Sequence, residues 1–149
     1  MINIKEANIY IPKPKIKKNY FQDIEQTPET CLKAVKQNGK NLRDVKEQTL
    51  EICFEAVKNF GHALEYVKEQ TPEICLEAVK QNGYALQHVK EQTPEICLAA
   101  VKQDGYALQY VREPTLEMYL EAIKQDKDVI DFIPEEMTIV HTAWRLMYE

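Results

Sequence analysis

The chain has 149 residues, a net charge of −5, and 44% hydrophobic and 29% charged residues, the balance of one ordinary soluble domain. A net acidic chain disfavours a general nucleic-acid binder, because neutralising phosphates requires a basic surface. No stretch of about 18 apolar residues suggests a membrane span, and the N-terminus lacks the apolar core of a secretory signal, so we expect a cytoplasmic protein without membrane contact.

The N-terminal segment, residues 1–18, differs in pattern from the rest of the chain. Four isoleucines alternate with polar residues, a period of two that is typical of extended chain. They are Ile2, Ile4, Ile9 and Ile11. Two prolines and four lysines follow within residues 12–18, and proline interrupts regular hydrogen bonding. For residues 1–18 we expect an extended arm that lies along the protein; the alternative is a strand that pairs with a partner or a second copy.

The next part of the chain is a tandem repeat, in which the same residue types return at every twenty-second position. The repeating unit reads EQTPEICLEAVKQNGYALQHVK at residues 69–90, and residues 91–112 nearly duplicate it. The five units are residues 25–46, 47–68, 69–90, 91–112 and 113–134. Self-similarity at a fixed period indicates a repeat array, in which stacked neighbours bury the apolar face that one unit cannot hide alone.

Each unit carries the signals of a helix pair. In the third unit Thr71 is a helix N-cap and is followed by proline at the first helical position. We expect Gly83 to end this helix in the left-handed conformation, which gives a helix of about eleven residues, 72–82. Ala85, Leu86 and Val89 then share one face of a second, shorter helix of about seven residues.

The segments at the two ends are expected to cap the array, because terminal repeats are atypical. Residues 19–24 look like a second helix without its first, and residues 135–149 like a last helix. Trp144 occupies a column that holds alanine in every unit, so we interpret it as a plug. The sequence therefore predicts an all-α fold, a right-handed α-solenoid of five two-helix repeats that forms a single domain, residues 19–149.

The four cysteines form one column of the repeat: Cys31, Cys53, Cys75 and Cys97. Equivalent helices of stacked units lie about 8–10 Å apart. That spacing is too wide for a disulfide, and a linear array does not suit a tetrahedral zinc site. We interpret the cysteines as small buried hydrophobic residues and expect no metal and no cofactor.

Residues 71–83, TPEICLEAVKQNG, with the Ala-Leu pair and the valine that follow, resemble a known short repeat. The repeat is that of a bacterial and viral family of unknown function, with recurring PE(L/I)CLEAVKQNG and AL–YV segments. The resemblance covers about residues 25–134. The departures are Leu50 and Leu116 in place of the proline, Asn41 in place of the alanine, and Lys127 in place of the glycine. The resemblance implies a helical repeat and carries over no activity and no catalytic residue.

Enzyme signatures are missing from the sequence. The four glycines form no phosphate-binding loop. The three histidines, His62, His88 and His141, lie in different units and columns, without zinc-ligand spacing to a cysteine of the same unit. We therefore expect a protein that is not an enzyme.

Two columns of the second helix vary from unit to unit while the core columns do not. The first column reads Lys40, His62, Tyr84, Tyr106 and Asp128, and the second reads Asp44, Tyr66, His88, Tyr110 and Phe132. We call these two columns the aromatic stripe. Positions four apart share a helix face, so stacking should bring the two columns together. We expect the first column to be exposed, whereas the second either is exposed or packs between units.

A fixed core with a variable surface is how repeat proteins present a binding face, and tyrosine suits the core of an interface. The predicted function is a protein–protein interaction module: an adaptor, an effector or an inhibitor of a host protein. The candidate partner-binding residues are Lys40, His62, Tyr66, Tyr84, His88, Tyr106 and Tyr110. One alternative is a single-stranded nucleic-acid binder that stacks bases on the rings, disfavoured by the acidic charge. The other is a structural or self-associating repeat protein.

Overall fold

The computed structural model describes residues 20–148, and the predicted arm, residues 1–18, lies outside this range. Within it the chain is helical, without β-strands. The α-helices are α1 (Pro28–Gln37), α2 (Leu50–Asn59), α3 (Pro72–Gln81), α4 (Pro94–Gln103), α5 (Leu116–Gln125) and α6 (Thr138–Tyr148). The 3-10 helices that follow α1 to α5 are Gly39–Asp44, Gly61–Tyr66, Gly83–His88, Gly105–Tyr110 and Lys127–Phe132.

Successive units pack side by side, α-helix against α-helix and 3-10 helix against 3-10 helix. This arrangement confirms an all-helical fold of consecutively packed repeat units. None of the helices in residues 20–148 is both long and apolar enough to span a membrane.

The start of each α-helix follows the predicted capping pattern. The side chain of Thr71 accepts a hydrogen bond from the backbone N–H of Ile74 at 3.3 Å, and Pro72 occupies the first turn, where a missing N–H costs nothing. A threonine caps the helix in the same way in the other four units: Thr27, Thr49, Thr93 and Thr115.

The predicted left-handed glycine at the end of the α-helix is wrong. No residue from 20 to 148 has a positive φ. Instead α3 ends at Gln81, and Asn82, its C-cap, is extended, with φ −154° and ψ 113°. The Asn82 side chain accepts a hydrogen bond from the N–H of Tyr84 at 3.0 Å and so turns the chain directly into the next helix. Gly83 is the first residue of that helix rather than a C-cap.

The second helix of each unit is a 3-10 helix of six residues. Its apolar residues are buried as predicted: Ala85 and Leu86 are 0% exposed and Val89 is 1% exposed. With three residues per turn, Leu86 and Val89 lie on the same face, and the N–H of Val89 bonds to the carbonyl of Leu86 at 3.1 Å. The tighter helix therefore puts these side chains on the core within a shorter length of chain.

Gly83 is required by a close approach between neighbouring units. A Cβ atom added there would lie 2.6 Å from the carbonyl oxygen of Ala100 in α4, a backbone atom that cannot move aside alone. The N–H of Gly83 also donates a hydrogen bond to the side chain of Gln103, at the end of α4. Glycine thus lets one unit's 3-10 helix lie directly on the end of the next α-helix.

Two units depart from the pattern and keep their 3-10 helix. Lys127 begins the last one, and the indole N–H of Trp144 in α6, the helix that follows, donates to its carbonyl at 2.8 Å. Asn41 replaces alanine in the first unit, and its side-chain N–H donates to the carbonyl of Ala34 at 2.9 Å. Both departures are therefore accommodated by contacts specific to the terminal units.

The core consists of the repeated small and branched residues of both helices. In the third unit Ile74, Cys75, Ala78 and Val79 are all less than 5% exposed. The four cysteines are buried free thiols, as interpreted from the sequence. Burial raises the pKa of the Cys75 thiol, which keeps it in the neutral form that packs well and reacts poorly.

The N-terminal cap is not a helix. Residues 20–23 form a turn, with Phe21 buried and Ile24 exposed. This stretch is short, and a helix of a few residues gains too little from its hydrogen bonds to offset the cost of nucleation. At the other end, α6 forms as predicted, with Val140 fully buried and Trp144 half-buried against the last unit.

Gly83→Ala tests the close contact between units. If nothing lay near the α-carbon, alanine would stabilise the chain by about 0.4–1 kcal/mol through a less flexible unfolded state. Because the Ala100 carbonyl is so close, we expect destabilisation by about 1–3 kcal/mol in urea unfolding. Lys127→Ala is the matched control and should change little, since that position already accommodates a Cβ. Equal or higher stability of Gly83→Ala would contradict the contact.

Candidate functional site

The two columns of the aromatic stripe meet between units. Ring centroids lie 5.6 Å apart for His62 and His88, 5.8 Å for Tyr84 and Tyr110, and 5.7 Å for Tyr106 and Phe132. Each pair joins the first column of one unit to the second column of the next, in an edge-to-face arrangement that aromatic quadrupoles favour. The stripe is therefore held together across the unit boundaries.

The stripe residues are neither core nor freely solvated. Lys40 is exposed, whereas His62, Tyr66, Tyr84, His88, Tyr106 and Tyr110 are half-buried. Tyr66, Tyr106 and Tyr110 also pack on the core. The expectation of an exposed first column thus holds for Lys40 and Asp128, whereas edge-to-face pairing buries part of the His62, Tyr84 and Tyr106 rings. The half-buried rings of the stripe are held in place by these contacts and form a row that is partly exposed to solvent.

Phe60 extends the stripe at its N-terminal end and was missed from the sequence. The ammonium of Lys40 lies 4.9 Å from the centre of the Phe60 ring, and this ring lies 5.6 Å from that of His62. Phe60 precedes the 3-10 helix at a position where every other unit has Asn or Asp. The replacement of this polar capping residue by phenylalanine was the sequence signal that position 60 extends the stripe.

The first column is positioned by the residue two places before it. The Asp104 carboxylate accepts a hydrogen bond from the N–H of Tyr106 at 2.9 Å, as Asn82 does from Tyr84. Asn38 and Asp126 make the same contact in the first and last units. These short-range turns fix where the 3-10 helix begins and hence the direction of the first-column side chain.

The second column is positioned by a half-buried glutamine clamp that sequence reasoning also missed. The Gln70 amide donates to the carbonyl of His88 at 2.9 Å and accepts from the N–H of Lys90 at 3.0 Å. Equivalent pairs of bonds are made by Gln26, Gln48 and Gln92. Each clamp binds the backbone of a second-column residue and ties the start of a unit to its end.

The fifth unit loses both halves of this clamp. Proline stands at position 114, where the other units have glutamine, and Pro134 has no N–H to donate. The unchanged glutamine in four units, paired with its loss in the fifth, was the sequence signal for the clamp. Its absence there lets the chain turn differently into α6.

Carboxylates lie beside the rings toward the C-terminal end of the stripe. Burial raises the pKa of Tyr84, and the nearby Asp104 charge adds to this. Burial also raises the pKa of Tyr106, reinforced by Asp126 and Asp128. Both tyrosines therefore stay neutral, and the field around them is negative. The opposite end of the stripe carries the cation of Lys40.

The histidine pair lies in the middle of the stripe. Burial lowers the pKa of His88; the Glu65 carboxylate opposes this effect and His62 adds to it. Nδ1 of His62 is a buried nitrogen for which residues 20–148 provide no hydrogen-bond partner. The lowered pKa of His88 disfavours the imidazolium form of this residue at the contact. Within residues 20–148, no group of three or more His, Cys, Asp or Glu side chains could hold a metal ion.

Gln70→Ala tests the clamp. It removes both bonds to the His88 and Lys90 backbone, so we expect a loss of about 1–3 kcal/mol of unfolding free energy in urea. The exposed Gln87, whose amide donates to the Tyr84 carbonyl within its own helix, is the matched control. Gln87→Ala should stay within about 0.5 kcal/mol of the native protein. Equal effects of the two substitutions would contradict a special role for Gln70.

The histidine contact predicts a pH dependence. Because the pKa of folded His88 lies below its ordinary value of 6.5, the unfolded chain binds the proton more readily. The free energy of unfolding should therefore fall as the pH drops from about 7 to about 5. His88→Tyr, which copies the residue of the neighbouring units, should lose less stability over that interval. Thermal unfolding at both pH values checks this, and an identical loss in the two proteins would contradict it.

The comparisons with known proteins agree with the repeat. A family model described as a domain of unknown function, DUF4116, matches residues 27–71, 49–93, 71–116 and 93–138. Each match spans two successive units, and together they run from residue 27 to residue 138. No curated protein matches the chain, and no solved structure does either. The chain belongs to the DUF4116 family, whose function is unknown.

Proposed function

We propose that this protein is a non-enzymatic interaction module that binds a protein partner through the aromatic stripe, and that the partner presents a basic segment. The observation that carries the proposal is the ring contact across successive units: His62 on His88, Tyr84 on Tyr110, and Tyr106 on Phe132. Rings already held in place lose little side-chain entropy when a partner binds, and this favours affinity.

The charges beside the rings support a basic partner. Asp104, Asp126 and Asp128 lie close enough to Tyr84 and Tyr106 to raise their pKa values. A lysine or arginine that approaches these rings would meet both a π face and a carboxylate. Arginine suits this combination best, because its flat guanidinium stacks and donates in the same plane.

The same charges disfavour the nucleic-acid alternative. A phosphate backbone along the stripe would pass the carboxylates of Asp104, Asp126 and Asp128, and such grooves are usually positive. We therefore place single-stranded nucleic acid second. A cytoplasmic adaptor, effector or inhibitor remains the role that we propose.

The frame that we propose for this surface is the right-handed solenoid of five two-helix repeats, forming one domain. Units that contact only their neighbours make a quasi-linear stack, so a surface that recurs in each unit is extended in one direction. A stripe of this kind suits an extended peptide segment better than a compact ligand.

The experiment compares capture of proteins from an extract of the source cell by three versions of the full chain. They are the native protein, Tyr84→Ser/Tyr106→Ser/Tyr110→Ser, and Lys58→Ser/Lys80→Ser/Lys102→Ser as the matched control. The control lysines are exposed residues of the last turns of α2, α3 and α4. Circular dichroism shows whether each version is folded.

We expect a partner that the native and control proteins retain and the stripe variant loses. Binding of that partner to Asp126→Asn/Asp128→Asn should be about tenfold weaker if its segment is basic. A partner held equally by all three proteins would contradict the stripe as the binding surface. Retention of RNA or DNA instead, lost steeply as salt is raised, would favour the nucleic-acid alternative.

A further inference from the structure

The last helix has apolar residues at two positions where the other α-helices share charged ones. In α1 to α5 a glutamate lies in the first turn and a lysine in the last. In α5 these residues are Glu117 and Lys124. The equivalent positions of α6, one repeat period further along the chain, hold Ile139 and Leu146. These two side chains are 65% and 85% exposed, so apolar residues stand where every other unit places solvated charges.

The large exposed apolar residues early and late in α6 form one face. Ile139, Leu146 and Met147 follow the i, i+7, i+8 spacing of a helical stripe. We call these three residues the α6 face. The helix is tied to the last unit by other groups, since the Tyr148 hydroxyl donates to the Ile123 carbonyl at 2.7 Å and Val140 is fully buried. The helix is thus firmly docked, and the α6 face is left toward solvent.

The segment that leads into α6 is acidic, and α6 itself carries the exposed Arg145 beside Leu146. Residues 126–136 contain five acidic residues and one lysine, and the side chains of Asp131, Glu135 and Glu136 are exposed. Two α6 faces packed symmetrically would bring these like charges together. A basic occupant is favoured instead.

The opposite end of this chain supplies such an occupant. Residues 1–18 contain five lysines and one glutamate, together with the four alternating isoleucines. The segment thus carries both properties that the α6 face would select, apolar side chains and positive charge. Lys40, in the first unit, is exposed and adds one further positive charge at this end.

We propose that residues 2–11 of a second copy of this chain cover the α6 face, with their isoleucines on Ile139, Leu146 and Met147. Residues 2–11 cannot all lie on the α6 face of their own chain, because Ile11 is tied to the first unit by residues 12–19 alone. Residues 12–19 span at most about 28 Å when extended. Five steps of stacked helices separate α6 from α1, on the order of 40–50 Å. The contact therefore joins two copies head to tail, and such a contact can continue into a chain of copies.

The test uses full-length, untagged protein in sedimentation equilibrium over a concentration series. The tail variant is Ile139→Glu/Leu146→Glu, and the arm variant is Ile4→Glu/Ile9→Glu/Ile11→Glu. Leu50→Glu is the matched control, because Leu50 is 59% exposed and lies far along the chain from both segments. Circular dichroism and thermal melts show whether each protein is folded.

We expect native and control proteins to associate and each variant alone to associate at least about tenfold more weakly, since each buries charge in an apolar contact. Mixing the two variants should restore one complex of one copy each, because the intact arm of the tail variant meets the intact α6 face of the arm variant. That complex cannot grow further.

Three outcomes would overturn the proposal. The first is a native protein that stays monomeric at all concentrations. The second is an arm variant that associates as well as the native chain, which would mean that α6 pairs by another contact. The third is a mixture of the variants that forms no complex although the native protein does. None of them bears on partner binding by the aromatic stripe.

Discussion

The contact on which the structure depends is a close approach of main-chain groups from successive units. Where one unit meets the next, the α-carbon of Gly83 lies so close to the Ala100 carbonyl that no side chain fits between them. The Gln103 side chain closes the same contact by accepting from the Gly83 N–H. Because the two closest groups are main chain, the distance between units is set without regard to the side chains outside. The outer columns can then vary while the spacing between units stays constant. As a result, the Tyr84 and Tyr110 rings and the His62 and His88 rings pair at nearly equal centroid distances.

Polar side chains fix the positions of the two helices within a unit, which the small core side chains do only weakly. The core residues are mostly alanine, valine, leucine and cysteine, which pack well but restrict direction little. Gln70 adds direction, since its amide satisfies a carbonyl and an N–H two residues apart at the end of the 3-10 helix. Leaving those groups unpaired in a partly buried place would cost about 1–3 kcal/mol, comparable to the effect of a core truncation. The clamp therefore holds the second column in position.

Much of the fold could be predicted from the sequence, because residues that recur at a fixed period are mostly those buried between units. The columns that contain Ala78 and Val79 recur in every unit and all lie in the core, and Thr71 caps its helix as its chemistry demands. The role of Gly83 was mistaken because a glycine after a helix fits a left-handed cap as well as a close contact, and only the neighbouring unit distinguishes them. The Gln70 clamp bridges residues 18 and 20 positions apart, which no local pattern encodes. The ring pairs of the stripe depend on how successive units stack. The sequence could therefore identify the two columns but not which of their residues contact each other.

The aromatic pairs join one unit to the next, and ring-to-ring nuclear Overhauser contacts in solution test them most directly. The structure predicts cross-peaks between Tyr84 and Tyr110, and between Tyr106 and Phe132, whose ring centres lie 5.8 and 5.7 Å apart. A spectrum in which these rings contact only residues of their own unit would contradict the stacking, and with it the continuous surface.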